Sequence, residues 1–267
     1  MGEQRLALHH LAADAHARAL KHIDKATAEP SISTLQVVIL LILYTLFDPK
    51  SGNVSQQLGF AVRLAIDLAG SDSYEQPSTL LTLHKIIYCL ENHVCNVLVR
   101  PTSLPEPSLP PRSLIEEPLD LMCTLYCLRS RTRQHAADDT LDKSFLSLDD
   151  VKLHSLHPNA RATVWETRLM LDISVSAACQ LVETYAEDEY IVTFLTVHWV
   201  HKAAMTIVDA EFTSEGQSRH EIILAYGRAT AFLGKWSARW EAAGILLDCL
   251  HSRLQVAAKK KEASVSR

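Results

Sequence analysis

His198 and His201 stand three residues apart in His198-Trp199-Val200-His201, a spacing that puts two imidazoles on neighbouring turns of one helix. Two imidazoles make a zinc site only when further thiolate, imidazole or carboxylate ligands complete the shell, and the sequence places no paired carboxylate or third histidine beside them. Packed or surface histidines are the favoured reading. His220-Glu221 opens a metalloprotease-like string, but Leu224 stands where the second metal ligand belongs. The six cysteines (Cys89, Cys95, Cys123, Cys127, Cys179 and Cys249) form no Cys-x-x-Cys pair, and only Cys123 and Cys127 share a helix face. Free buried thiols in a reducing compartment fit better than a zinc site. Neither a glycine-rich phosphate loop nor a Gly-x-Ser-x-Gly elbow occurs. The expectation is therefore a regulatory or interaction domain and not an enzyme, with no catalytic, cofactor-binding or metal-binding residue.

Other polar residues suggest structural work. Arg63 and Asp67, four apart, can pair on one helix, and if buried they would fix a helix–helix register. Arg129, Arg131 and Arg133, and Lys259 to Lys261, read as solvated helix ends whose cations complement the helix dipole. His9, His10, His16 and His22 are expected to face solvent, and Trp236 and Trp240, one turn apart, to anchor the last helix.

The elements that must carry these residues are helices. The chain has 267 residues, 48% of them hydrophobic, with only 8 glycines and a mean hydropathy of +0.03. Ala and Leu lose little on entering a helix, glycine is scarce, and no stretch alternates apolar and polar residues as a strand does. Helices are predicted at about 5–28, 35–47, 54–69, 79–99, from 118 to 128, and at 159–187, 189–211, 218–234 and 237–259. The result is an all-α bundle or array of antiparallel packed helices, a single domain over 1–258. Five prolines between 101 and 111 give an extended connector, residues 134–150 a mobile loop, and 259–267 a basic tail that frays from Glu262. Gly216 and Gly234 are expected near breaks.

A net charge of −5 and a pI near 6.2 argue against a domain that grips DNA phosphates alone. Leu35 to Phe47 is too short for a bilayer span, which needs about 20 residues, so a buried core helix and no membrane partner are expected. The opening residues have no apolar signal region, which favours an intracellular chain.

One stretch is more specific. Leu43-Tyr44-Thr45-Leu46-Phe47-Asp48-Pro49-Lys50-Ser51-Gly52-Asn53, followed by Gly59-Phe60-Ala61-Val62-Arg63-Leu64-Ala65-Ile66-Asp67-Leu68, resembles the middle homology region of fungal zinc-cluster transcription factors. That family runs an apolar helix into a turn and then a helix reading Gly-x-Ala-x-Arg-x-Ala-x-Asp-Leu, matched here by Gly59, Ala61, Arg63, Ala65, Asp67 and Leu68. Pro30-Ser31-Ile32-Ser33-Thr34-Leu35-Gln36 resembles its lead-in, and Ser237-Ala238-Arg239-Trp240 its closing helix. Where the family shows Tyr-x-x-Asp-Arg and then Gly-Arg-Pro, this chain has Tyr88-Cys89-Leu90-Glu91-Asn92 and Val99-Arg100-Pro101. Asp has become Glu91, Arg has become Asn92 and Gly has become Val99.

The resemblance implies an all-helical, nuclear regulator of RNA polymerase II transcription, with Arg63 and Asp67 as structural keystones. It implies protein partners, either a second copy or a zinc-cluster relative, and a possible small-molecule effector. Zinc and DNA belong to a six-cysteine module that this sequence lacks, so zinc and direct DNA contact are not expected of this chain. The chain then reads as a truncated relative or an incomplete gene model. Two rivals are a modulator that dimerises with a full-length zinc-cluster factor and an uncharacterised helical enzyme.

Overall fold

Helix after helix follows from an Ala- and Leu-rich chain with few glycines. The computed structural model describes residues 2–27, 30–70, 78–109, 117–134, 153, 155–211 and 219–265. Among these are ten α-helices and no strand, each helix packed on neighbours, an all-α array. They fall into two compact units, Met1–Val94 with Pro101–Pro107, and Cys95–Arg100 with Ser108–Arg267, where the sequence reading drew one domain.

The first unit holds α1 (Gly2–Thr27), α2 (Ile32–Phe47), a 3-10 turn (Pro49–Ser51), α3 (Val54–Gly70) and most of α4 (Ser78–Leu98). Ser31 caps α2, its hydroxyl accepting from the Thr34 amide at 3.1 Å, which satisfies one of the orphan donors of a first turn. The Asp48 amide closes the helix on the Tyr44 carbonyl at 2.9 Å. Asn53 then starts α3, its side-chain oxygen accepting from the amides of Ser55 and Gln56 at 3.1 and 3.2 Å. At Gly52 the chain passes so close to the Gln57 side chain that an added Cβ would stand 2.8 Å from its Nε2. The apolar stretch of α2 is a core helix as expected, with Leu35 and Ile42 fully buried against α3 and its surroundings.

The second unit holds α5 (Pro118–Gln134), α6 (Pro158–Asp172), α7 (Val175–Tyr185), α8 (Phe194–Glu211), α9 (Arg219–Ser237) and α10 (Glu241–Val265). α8 is its axle, packing on α7, α9 and α10. Leu195, Val197, Val200, Ala203, Ala204 and Ile207 of α8 are all fully buried. Full burial of a Val, Leu or Ile side chain contributes about 1.5–3 kcal/mol each, so this face dominates the unit's cohesion.

Several boundaries differ from those read off the pattern. The single helix expected over 159–187 is broken at Ile173-Ser174, because the Ser174 hydroxyl caps a new helix by accepting from the Ala177 amide. α8 starts at Phe194 and not at 189, since the Thr193 amide donates to the Thr196 hydroxyl at 3.0 Å and sets the first turn there. Gly234 lies inside α9, where helical packing overrides a cost of about 1 kcal/mol relative to alanine. α10 continues to Val265, past the expected fraying point, through a Lys-, Glu- and Ala-rich stretch of strong helix formers. Of the loop expected over 134–150, Gln134 ends α5, and residues 135–150 lie outside the described residues, as does Gly216.

Candidate functional site

α3 displays the motif residues on two faces. Ala61 is fully buried and Ala65 nearly so, whereas Gly59, Arg63 and Asp67 are exposed. Arg63 and Asp67 form no hydrogen bond or ion pair among the described residues, so the keystone role expected of them is not what this fold gives them. The reason is helical phase. Val54, Leu58, Ala61, Val62 and Ala65 make the buried stripe, and positions 59, 63, 66, 67 and 70 fall on the opposite side.

α4 does more with its substituted motif. Tyr88 and Asn92 are buried, and the Asn92 side-chain amide donates to the Tyr88 carbonyl at 3.0 Å. Glu91, 5% exposed, reaches the segment after the helix. Its Oε1 accepts from the Ser103 amide at 2.9 Å and the Ser103 hydroxyl at 2.6 Å, and its Oε2 from the Leu104 amide at 2.9 Å. Arg100 and Pro101 are exposed. Val99, with φ 53, is the one non-glycine residue in the left-handed region among those described, and it ends α4 as the Arg100 amide bonds the Cys95 carbonyl at 3.0 Å.

Among the described residues, a buried polar cluster that the sequence reading missed lies in the second unit. Arg129, read there as part of a solvated basic run, is fully buried. Its Nη1 and Nη2 both donate to Glu166 Oε2 at 3.1 Å, its Nη2 to the Thr163 carbonyl at 2.6 Å, and its Nε to the Thr167 hydroxyl at 2.7 Å. Tyr185 donates to the other carboxylate oxygen, Oε1, at 2.6 Å. The guanidinium also sits over the rings of Tyr126 and Trp199, at 4.7 and 5.4 Å from their centroids. Four helices, α5 to α8, thus meet at one ion pair. A clue was available: Leu125 and Tyr126 precede Arg129 at i−4 and i−3, which puts the arginine on an apolar face.

The chemistry of this cluster is closed. Both oxygens of Glu166 receive hydrogen bonds from within the unit. Burial, and then the Glu166 charge, hold the Tyr185 phenol protonated well above its ordinary range, and burial does the same for Tyr190, whose ring meets that of Tyr185 edge-on at 4.7 Å. Such an arrangement ties helices α5 to α8 together through one ion pair.

The remaining candidates are scattered. His198 and His201 are half-buried on α8, and burial lowers the pKa of each. His220 and Glu221 are exposed. Among the described residues no group of three or more His, Cys, Asp and Glu side chains is placed to hold a metal ion. Cys89, Cys95, Cys123 and Cys127 are buried and joined in no disulfide. Trp236 and Trp240 stack at 4.7 Å, but they join the end of α9 to the turn before α10 and do not ride on the last helix. His10 and His22 are exposed as expected, while His16 is buried and stacks on Tyr44 at 4.2 Å. Comparison with family models, with curated proteins and with solved structures finds no match.

Proposed function

We propose that this chain is a transcription-factor-like regulatory protein of the fungal zinc-cluster type, nuclear and non-enzymatic, that acts through its helical domain without a zinc cluster of its own. The observation that carries this reading is the backbone at Val99. The resemblance puts glycine there, and a left-handed residue ending a helix is the conformation that calls for glycine. Val99 thus adopts a conformation that suits the glycine the resemblance puts at this position. The turn between α2 and α3, and the burial of Ala61 and Ala65, also suit the motif. A fusion of the full chain to an unrelated DNA-binding module, placed upstream of a reporter in a fungal host, is expected to change reporter output. Unchanged output from a stably expressed fusion overturns the reading.

A second reading is favoured by a different observation. Gly59, Arg63, Ile66 and Asp67 form an exposed face of α3, and the two charges have no hydrogen-bond or ion-pair partner among the described residues. This face suits a protein partner, either another copy or a full-length zinc-cluster factor that supplies the DNA contact. Co-purification of a tagged chain with a zinc-cluster factor, weakened by Arg63→Glu with Asp67→Lys, supports it. A clean monomer that recovers no such factor rejects it. No described helix is long and apolar enough to cross a membrane.

A further inference from the structure

α4 presents two polar side chains, two turns apart, to the extended segment that follows it. Glu91 holds the amides of Ser103 and Leu104 and the Ser103 hydroxyl, and His84 bonds the Pro105 carbonyl. Leu104 and Pro107 are buried beside these contacts. Pro101 and Pro105 each fix φ at about −65°, and the chain bends between them at Leu104. Residues 101–107 are therefore a strap held to α4 through Glu91 and His84, with the buried carboxylate making three of the contacts. Ser103 itself is exposed, and Arg100 stands three residues before it.

We propose that Ser103 is a phosphorylation site for a basophilic serine/threonine kinase, and that its modification unlatches residues 101–107 from α4. A basophilic kinase reads a cation a few residues upstream of a serine, and Arg100-Pro101-Thr102-Ser103 offers both outside any helix, on an exposed residue whose hydroxyl must first leave Glu91. The Ser103 oxygen attacks the γ-phosphorus of a nucleoside triphosphate. A new O–P bond forms as the bond from that phosphorus to the bridging oxygen breaks, a nucleoside diphosphate leaves, and the hydroxyl proton passes to the kinase's catalytic base.

The consequence follows from the 2.6 Å contact between the Ser103 hydroxyl and Glu91 Oε1. Phosphorylation replaces the donating proton with a group of charge about −1.5 to −2, all acceptor, facing a buried carboxylate. Repulsion between them is poorly screened because Glu91 is out of solvent. His84 offers little relief, since burial lowers its pKa and favours the neutral ring. Glu91 cannot keep the two strap amides while turning away from the phosphate.

The test uses the full chain, a basophilic kinase and ATP, with site mapping by mass spectrometry and amide hydrogen exchange as the structural readout. A peptide spanning 97–107 serves as the kinase control. Expected is phosphate on Ser103, absent from Ser103→Ala, with Ser103 and Leu104 amides exchanging about tenfold or more faster after modification. Unmodified Glu91→Ala should show the same fast exchange, while Ser103→Ala, which keeps both amide bonds, stays slow and shows that the fold is intact. Phosphate confined to Thr102, a peptide modified while the chain is not, neither one modified, or a phosphorylated chain with unchanged exchange each overturns the proposal.

Discussion

Arg129→Met would leave Glu166 buried beside Tyr185 without the guanidinium that holds it, and breaking a buried pair from one side costs about 3–5 kcal/mol. Urea unfolding is expected to show that loss, and adding Glu166→Gln should recover part of it, because the stranded charge goes. An equal loss in the single and double variants would mean that packing around the guanidinium, not charge, is what matters. Val99→Gly is expected to act in the opposite direction. A β-branched residue in the left-handed region carries a strain of about 1–2 kcal/mol, and its side chain, 89% exposed, gives no packing in return. Thermal unfolding should rise in temperature. Asp67→Ala should leave the melting temperature unchanged, since the exposed carboxylate bonds nothing among the described residues.

At the scale of elements, the α6–α7 break rests on one hydroxyl. Ser174→Ala removes the acceptor for the Ala177 amide and is expected to cost about 1 kcal/mol, read as a lower urea midpoint at unchanged slope. A neutral result would mean that tertiary packing of Ala178 and Leu181, both fully buried, sets the start of α7 without the cap. The breaks also show where pattern alone misleads. Residues 159–187 keep apolar periodicity across the break, so the period of 3.6 survives while the axis does not. Ser174 was legible as a capping residue. That the chain uses it depends on what α7 packs against.

For the molecule as a whole, acid should be the weak side. His16, His84, His198 and His201 all have pKa values lowered from the ordinary 6.5, with burial as the largest cause. A histidine with a depressed folded pKa contributes full stability above 6.5, where both states are neutral. As pH falls below 6.5 the unfolded chain binds protons first, and stability is lost progressively down to the folded pKa. The melting temperature is expected to decline between pH 7 and pH 5, the loss beginning near 6.5 and so above the range where ordinary carboxylates titrate. A flat profile through that window would remove the histidines as its cause. Tyr185 and Tyr190, raised by burial, add an alkaline limb that begins above their ordinary value of 10.0.

Composition and helical period were enough to determine the all-α class, the core placement of α2, and the buried stripe of α3, because those follow from local propensity and from which positions repeat along one helix. They also placed Tyr88 and Glu91 on the helix that closes on Pro101. What period cannot carry is the partner across a gap in sequence. Arg129 finds Glu166 thirty-seven residues away, and Glu91 finds Ser103 twelve residues away, through folds of the chain that no local spacing encodes. A buried arginine and a solvated one look alike in sequence until its neighbours arrive. Helical phase put Arg63 and Asp67 on the exposed side of α3, but tertiary structure alone decided that Arg129 and Glu91 are buried, and burial is what turned those two charges into the fixed points of their units.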